Sequence, residues 1–260
     1  MRWLAALLLL ALPARAEIEV DLELVLAADV SRSMSVADLT TQRQGYAAAL
    51  ASPEVLRAIQ GGFLGRIGLT YVEWSGDDWQ RIVVDWTLIE TEADARAVAA
   101  VIAAGTGGTL RRTSISQALR HAAGRFEDSP FTAYRRVIDV SGDGPNNQGT
   151  PVTEARDALV AAGITINGLP IMTGDDVDVL WAIPRLDLYY RDCVIGGPGA
   201  FVVPVDGWDS FAQAVRRKLV LEISGLAAQG LIPAQQGPEG ATDCLIGEKI
   251  WRQRRGFDLP

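Results

Sequence analysis

The sequence predicts a doubly wound α/β fold: a mostly parallel central sheet, helices on both faces, and one antiparallel hairpin at an edge. Three observations predict it. Leu22 to Ala28 and Val137 to Val140 are near-continuous apolar runs of strand length, as expected of parallel strands buried on both faces. Segments of helical length alternate with such runs along the chain, which implies right-handed βαβ crossovers. Two further runs flank Gly76-Asp77-Asp78, a turn signal that joins them as a hairpin.

Taken in order, the chain opens with Arg2, an apolar stretch from Leu4 to Leu12, and the small-x-small sequence Ala14-Arg15-Ala16. This is the layout of a secretory signal peptide, residues 1–16, cleaved after Ala16. The apolar stretch is far short of the roughly 20 residues of a membrane-spanning helix. The first strand, Leu22–Ala28, leads through Asp29 to a helix over Ala37–Leu50 and a short helical piece after Pro53. Ile67–Trp74 and Arg81–Trp86 form the hairpin. Helices follow over Glu92–Ala103 and Ser114–Phe126, then the buried strand Val137–Val140 with its turn Ser141-Gly142-Asp143-Gly144. A helix over Thr153–Ala162 stops at Gly163, a favoured C-terminal position for glycine. Ile164–Leu169 is a strand, Asp176–Tyr190 a helix around Pro184, Ala200–Val205 a last strand and Trp208–Ile223 a last helix. The expected division is 1–16 leader, 17–225 domain and 226–260 extension.

Charge and cysteine content narrow the function. The formal charge is -8, and loss of Arg2 and Arg15 with the leader takes it two further, to -10. Such a chain has no electrostatic reason to bind nucleic acid or an anionic membrane. The expected location is periplasmic or extracellular, where the only cysteines, Cys193 and Cys244, are expected to pair. Closing a loop of about 50 residues is worth roughly 4 kcal/mol in the chain-entropy treatment.

In open α/β sheets ligands bind beyond the carboxyl ends of the strands, near a topological switch point. Asp29 and Asp143 both stand at strand ends, and the polar loop Gly105 to Thr113 leads into a helix. Asp29-Val30-Ser31-Arg32-Ser33 can turn one carboxylate and two hydroxyls toward a common point. These are hard oxygen donors, suited to Mg²⁺ and not to zinc or copper. Mg²⁺ takes six oxygens near ~2.1 Å, so further donors must come from elsewhere. Asp and Ser at such positions also serve as ordinary turn and capping residues. Asp143 lies in a Gly-Asp-Gly turn, and Thr113 stands at a helix start with a hydroxyl able to ligate or to cap.

With these segments in place, the sequence resembles the von Willebrand A family. D-x-S-x-S after the first strand, a loop threonine before a helix and an aspartate after a later strand form that family's metal-ion-dependent adhesion site. The resemblance runs from about residue 21 to 224 and implies a Rossmann-like A domain whose metal ligands are Asp29, Ser31, Ser33, Thr113 and Asp143. It implies that Ser31 and Ser33 ligate directly and that Asp29 acts largely through water. Thr113 and Asp143 would exchange direct for water-mediated contact with the state of the domain. The cofactor implied is Mg²⁺, or a hard divalent ion such as Mn²⁺ or Ca²⁺, and an acidic side chain of a protein partner would complete the shell. Two departures stand out: Arg32 replaces the glycine often found between the serines, and Thr109 in Gly107-Gly108-Thr109 resembles the family's other common loop form. Thr113 is preferred because Leu119 follows at the family's helix spacing. The runs Tyr71 to Ser75, Val137 to Asn147 and Tyr190 to Cys193 look like a bacterial group of exported A domains of unassigned function (DUF1194-like).

No catalytic constellation is recognisable. His121 is the only histidine and lies mid-helix; no G-x-S-x-G elbow, P-loop or dinucleotide fingerprint is present. Ser31 stands where an aspartyl phosphotransferase would want a second acid. The expected function is therefore non-catalytic, metal-dependent protein binding. The competing readings are a weak metal-dependent hydrolase and a metal-independent interaction domain. The latter would use Trp74, Trp79 and Trp86 around the hairpin. Glu73 with Asp77 and Asp78 is a candidate local cation site, and the basic stretch Lys249–Arg255 with Trp251 is expected to be an exposed end.

Overall fold

The computed structural model describes residues 17–172, 183–225, 232–233 and 242–255. The leader, the first part of the helix expected over 176–190 and much of the extension lie outside them.

Sheet order decides where the site falls. Strands β2 (Leu22–Asp29), β3 (Ile67–Trp74), β6 (Arg136–Gly142) and β7 (Thr165–Met172) run parallel, and β4 (Gln80–Ile89) returns antiparallel along β3. The order across the sheet is β10-β8-β7-β6-β2-β3-β4, with β8 (Phe201–Val202), β10 (Ile232–Pro233), and β9 (Val205–Asp206) paired to β7. From β2 the chain winds one way to β3 and later the other way to β6. The switch point thus lies between the carboxyl ends of β2 and β6, where Asp29 and Asp143 stand.

Every residue of β2 and β3 is buried, as their unbroken apolar runs predict, whereas β4 is partly exposed as the edge of the hairpin. Helices α1 (Val36–Leu50), α2 (Pro53–Gln60), α3 (Glu92–Ala103) and α7 (Phe211–Ser224) cover one face, around Tyr46, Leu50, Leu69 and Phe211. On the other face α4 (Ile115–Arg125), α5 (Val152–Ala161) and the short α6 (Leu186–Tyr189) pack around Val25, Leu119, Val140 and Tyr190. Among the described residues no helix is long and apolar enough to cross a membrane.

Several details depart from the expectations. A two-stranded parallel ladder, β1 (Ile18–Val20) with β5 (Phe131–Ala133), sits before the main sheet. The strand expected over 200–205 is broken at Pro204, which has no N–H to give a ladder, into β8 and β9. β10 adds an antiparallel pair at the far edge. The end of the 176–190 helix is α6, which runs on as a π-helical turn, Tyr190–Val194. Cys193 and Cys244 form the expected disulfide.

The Lys249–Arg255 stretch is not a loose end. It belongs to α8 (Ile246–Arg255), and Cys244 and Ile246 pack onto the Tyr190 side of the core. The tryptophans of the hairpin do not form an open surface either. Trp74 is fully buried, Trp79 packs on the core, and Trp86 lies against Phe126 and Phe131 with its indole N–H donated to the Arg125 carbonyl at 2.7 Å. Glu73 is no cation site: Arg43 holds it bidentately at 2.7 and 3.1 Å, and Arg81 pairs with it at 2.5 Å from the other side.

A buried ionic cluster lies beneath α7. Lys218 is fully enclosed, 2.7 Å from Asp139 of β6 and paired with Glu222, which also accepts from Asn167 at 2.9 Å. Burial, then Asp139, pushes the Glu222 carboxyl up to about 8.

Candidate functional site

The D-x-S-x-S loop spans the gap between β2 and α1. Its first residue is fixed by the sheet: the Asp29 carbonyl accepts from Gln42 Nε2 of α1 at 2.9 Å, and Val30 N donates to Trp74 O at 2.8 Å. Ser35 then caps α1 in a reciprocal box with Asp38 (2.8 and 3.1 Å). Both serines therefore lie ahead of a helix N-terminus, whose partial positive charge favours the nearby carboxylates.

Four of the five predicted residues form one continuous chain of contacts. The Ser31 amide donates to Asp29 Oδ1 at 2.7 Å and its hydroxyl to Asp29 Oδ2 at 3.0 Å. Ser31 Oγ and Ser33 Oγ are 3.1 Å apart, and Ser33 Oγ donates to Asp143 Oδ1 at 2.6 Å, across 110 residues of sequence. Thr113 is buried and is tied through its backbone to the loop that carries Asp143. Its amide donates to Asn147 Oδ1 at 3.0 Å, and its carbonyl accepts from Asn147 N at 2.8 Å. The Thr113 loop and the Asp143 loop are thus cross-bonded. The same loop is tied to Ser31 further back, where Leu110 N donates to Val30 O at 3.0 Å. Thr109, the other candidate, is half-buried just before that tie, and Arg32 is exposed at the rim.

Both carboxylates are uncomfortable where they are. Burial and then the neighbouring Asp143 hold Asp29 well above the usual carboxylate range. Asp143 is pushed up to about 6, chiefly by burial, with the Ser33 hydrogen bond opposing. Among the described residues neither has a Lys, Arg or His ion-pair partner, unlike Asp139 and Glu73. Two buried acids joined by hydroxyls, with no cationic side chain paired to them among the described residues, are a donor set that fits a hard divalent ion.

Sequence reasoning missed Tyr190. A Cβ added to Gly142 would stand 2.7 Å from the Tyr190 hydroxyl and 3.0 Å from Asp29 Oδ2, so all three crowd one point. That hydroxyl is buried and has no hydrogen-bond partner among the described residues. Burial, then Asp29 and Asp143, keep it un-ionised. Tyr190 stands in a run singled out from the sequence, but nothing there shows it reaching Asp29.

The family described as "Protein of unknown function (DUF1194)" matches residues 19–227. The chain belongs to this family. A search of curated proteins finds no match to it. Among solved structures, this DUF1194 domain resembles proximal thread matrix protein 1 from the mussel byssus, with a TM-score of 0.57 and 15% identity over 80% of this chain and 49% of that one. A second structure of that protein, with a zinc-occupied MIDAS motif, matches with a TM-score of 0.53 and 13% identity over 78% of this chain and 46% of the other. A von Willebrand factor type A protein from Catenulispora acidiphila matches with a TM-score of 0.54 and 15% identity, over 78% and 43%. The DUF1194 chain therefore has the von Willebrand A fold and spans about half the length of these structures or less.

Proposed function

We propose that this domain is a non-catalytic, metal-dependent binding module of an exported protein. Asp29, Ser31, Ser33, Thr113 and Asp143 hold a hard divalent cation, Mg²⁺ in the first place and Mn²⁺ or Ca²⁺ as alternates. The ion captures an acidic side chain of a protein partner. The observation that carries this reading is the pair of buried carboxylates at the switch point, linked through Ser31 and Ser33 and without an ion-pair partner among the described residues. An ion bound there supplies the missing charge and an open coordination position for a carboxylate.

The chain's own residues do the rest. Ser31 clamps the Asp29 carboxylate through amide and hydroxyl, so that the group is oriented before any ion arrives. Ser33 ties the first loop to the Asp143 loop. Arg32, exposed at the rim, is placed to attract an acidic partner. The zinc-occupied MIDAS motif named for the mussel protein supports a divalent metal in a domain of this fold. The leader pattern and the disulfide support export to an oxidising compartment.

Calorimetric titration of MgCl₂ into the purified protein tests the reading. Wild type should give saturable heats, and Asp29→Ala and Asp143→Ala, shown by circular dichroism to be folded, should give none. Equal heats from all three would dismiss it. Mg²⁺-dependent turnover in a phosphatase and esterase screen would replace the binding role with an enzymatic one.

A further inference from the structure

The loops that carry Thr113 and Asp143 are both gripped by α8. Asn146, three residues after Asp143, is fully buried and saturated. Its amide donates to the Tyr189 hydroxyl at 3.2 Å, its Oδ1 accepts from Ser116 N at 3.1 Å, and its Nδ2 donates to Thr150 O at 3.2 Å and to Glu248 Oε1 at 2.7 Å. The last of these partners comes from α8. The helix lies so close that a Cβ on Gly247 would sit 2.0 Å from the Asn146 carbonyl oxygen. On the other loop, Arg112 immediately precedes Thr113 and has a φ of 79°, in the left-handed region that residues with a side chain enter only at a cost. Its guanidinium stacks on Trp251 of α8, 3.4 Å from the ring centroid. The disulfide then ties the foot of α8 to the π-helical turn that begins at Tyr190.

We infer that α8 is an integral part of the metal site, with Glu248 and Trp251 as positioning residues that hold the Asp143 and Thr113 loops at their present spacing. The inference rests on the metal-binding reading above. Thr113 and Asn147 already bond the two loops to each other, and α8 braces that unit from outside through one contact on each loop. An ion that draws ligands from both loops binds best when their spacing is set beforehand, because otherwise binding must also order them. The disulfide keeps the brace at high effective concentration even when its non-covalent contacts open.

The test is Mg²⁺ titration calorimetry on the full oxidised chain, comparing wild type with Trp251→Ala and Gly247→Ala, which keep the disulfide, and with the Cys193→Ser/Cys244→Ser double variant. Circular dichroism establishes that each is folded. Hydrogen exchange follows the amides of residues 111–114 and 143–148 against those of β2 and β6. Expected are an affinity loss of about tenfold, the size typical when groups supporting a metal's ligands are removed, and faster exchange confined to the two loops. Unchanged affinity in the Trp251 and Gly247 variants overturns the inference while leaving the metal reading intact. Tighter binding also overturns it, making α8 a cover and not a brace. Absence of heat from wild type removes the metal reading, and the inference with it.

Discussion

Replacing Asp143 by Asn should make the metal-free protein more stable, not less. In the folded state the Asp143 carboxyl is raised from 3.8 to about 6, mainly because burial disfavours its charge. Above pH 7 the group is ionised both folded and unfolded, and the buried charge costs the fold about 3 kcal/mol, from roughly 1.4 kcal/mol per tenfold change in acidity. The sign follows from proton linkage. Between pH 3.8 and 6 the folded state holds the proton that the unfolded state has released, so this group's contribution to stability falls as pH rises. Below pH 3.8 both states are protonated and the penalty is gone. Asparagine has the same shape and keeps an oxygen to accept from Ser33, but carries no charge. Urea unfolding in a chelator should show Asp143→Asn more stable than wild type by about 2–3 kcal/mol at pH 7.5, with the gap closing toward pH 4. With MgCl₂ at 100 times Kd the gap should close, because only wild type gains the stabilisation of a bound ion, about 2.7 kcal/mol, and near 1,000 times Kd, where the gain is about 4.1 kcal/mol, the order should reverse. A variant that is less stable than wild type in chelator at pH 7.5, or a gap that does not change with pH, would refute the claim that an uncompensated buried charge defines this site.

Two further substitutions probe the surroundings of the site. Tyr190→Phe removes a buried hydroxyl that has no partner among the described residues, so metal-free stability should hold or rise by about 1 kcal/mol, while the gain from added Mg²⁺, read as the shift in thermal midpoint, should shrink. Lys218→Met strips the positive charge from the Asp139–Glu222 cluster and should cost roughly 3–5 kcal/mol by urea unfolding. Replacing all three by apolar residues of similar volume should recover most of that loss.

The central strands and the D-x-S-x-S loop were legible because each rests on local chemistry. An apolar run such as Leu22–Ala28 can be covered only by helices on both sides, and the polar residues that end it must lie at the sheet's edge. Ile67–Trp74 and Glu92–Ala103 have the expected bounds because a hairpin turn and the Thr91 cap fix them. What sequence could not show depends on partners distant along the chain. Glu73 reads as an acid near a turn until α1 and β4 bring Arg43 and Arg81 to it. Tyr190 reads as one more core aromatic, and only the bare backbone of Gly142 lets its hydroxyl approach Asp29. Trp251 in a basic stretch looks exposed because its partner, Arg112, stands 139 positions away in sequence and makes the stack from a backbone conformation that propensity disfavours.

The small β1–β5 ladder lies at the pole where the parallel strands begin, while Asp29 and Asp143 stand where they end. The eight residues of β2 separate these poles by about 26 Å, at ~3.3 Å per residue. Immobilising the domain through Glu17 would therefore turn the end that carries Asp29 and Asp143 outward to a ligand in solution. The side on which a sensor surface or affinity tag is attached decides whether that end can be reached at all.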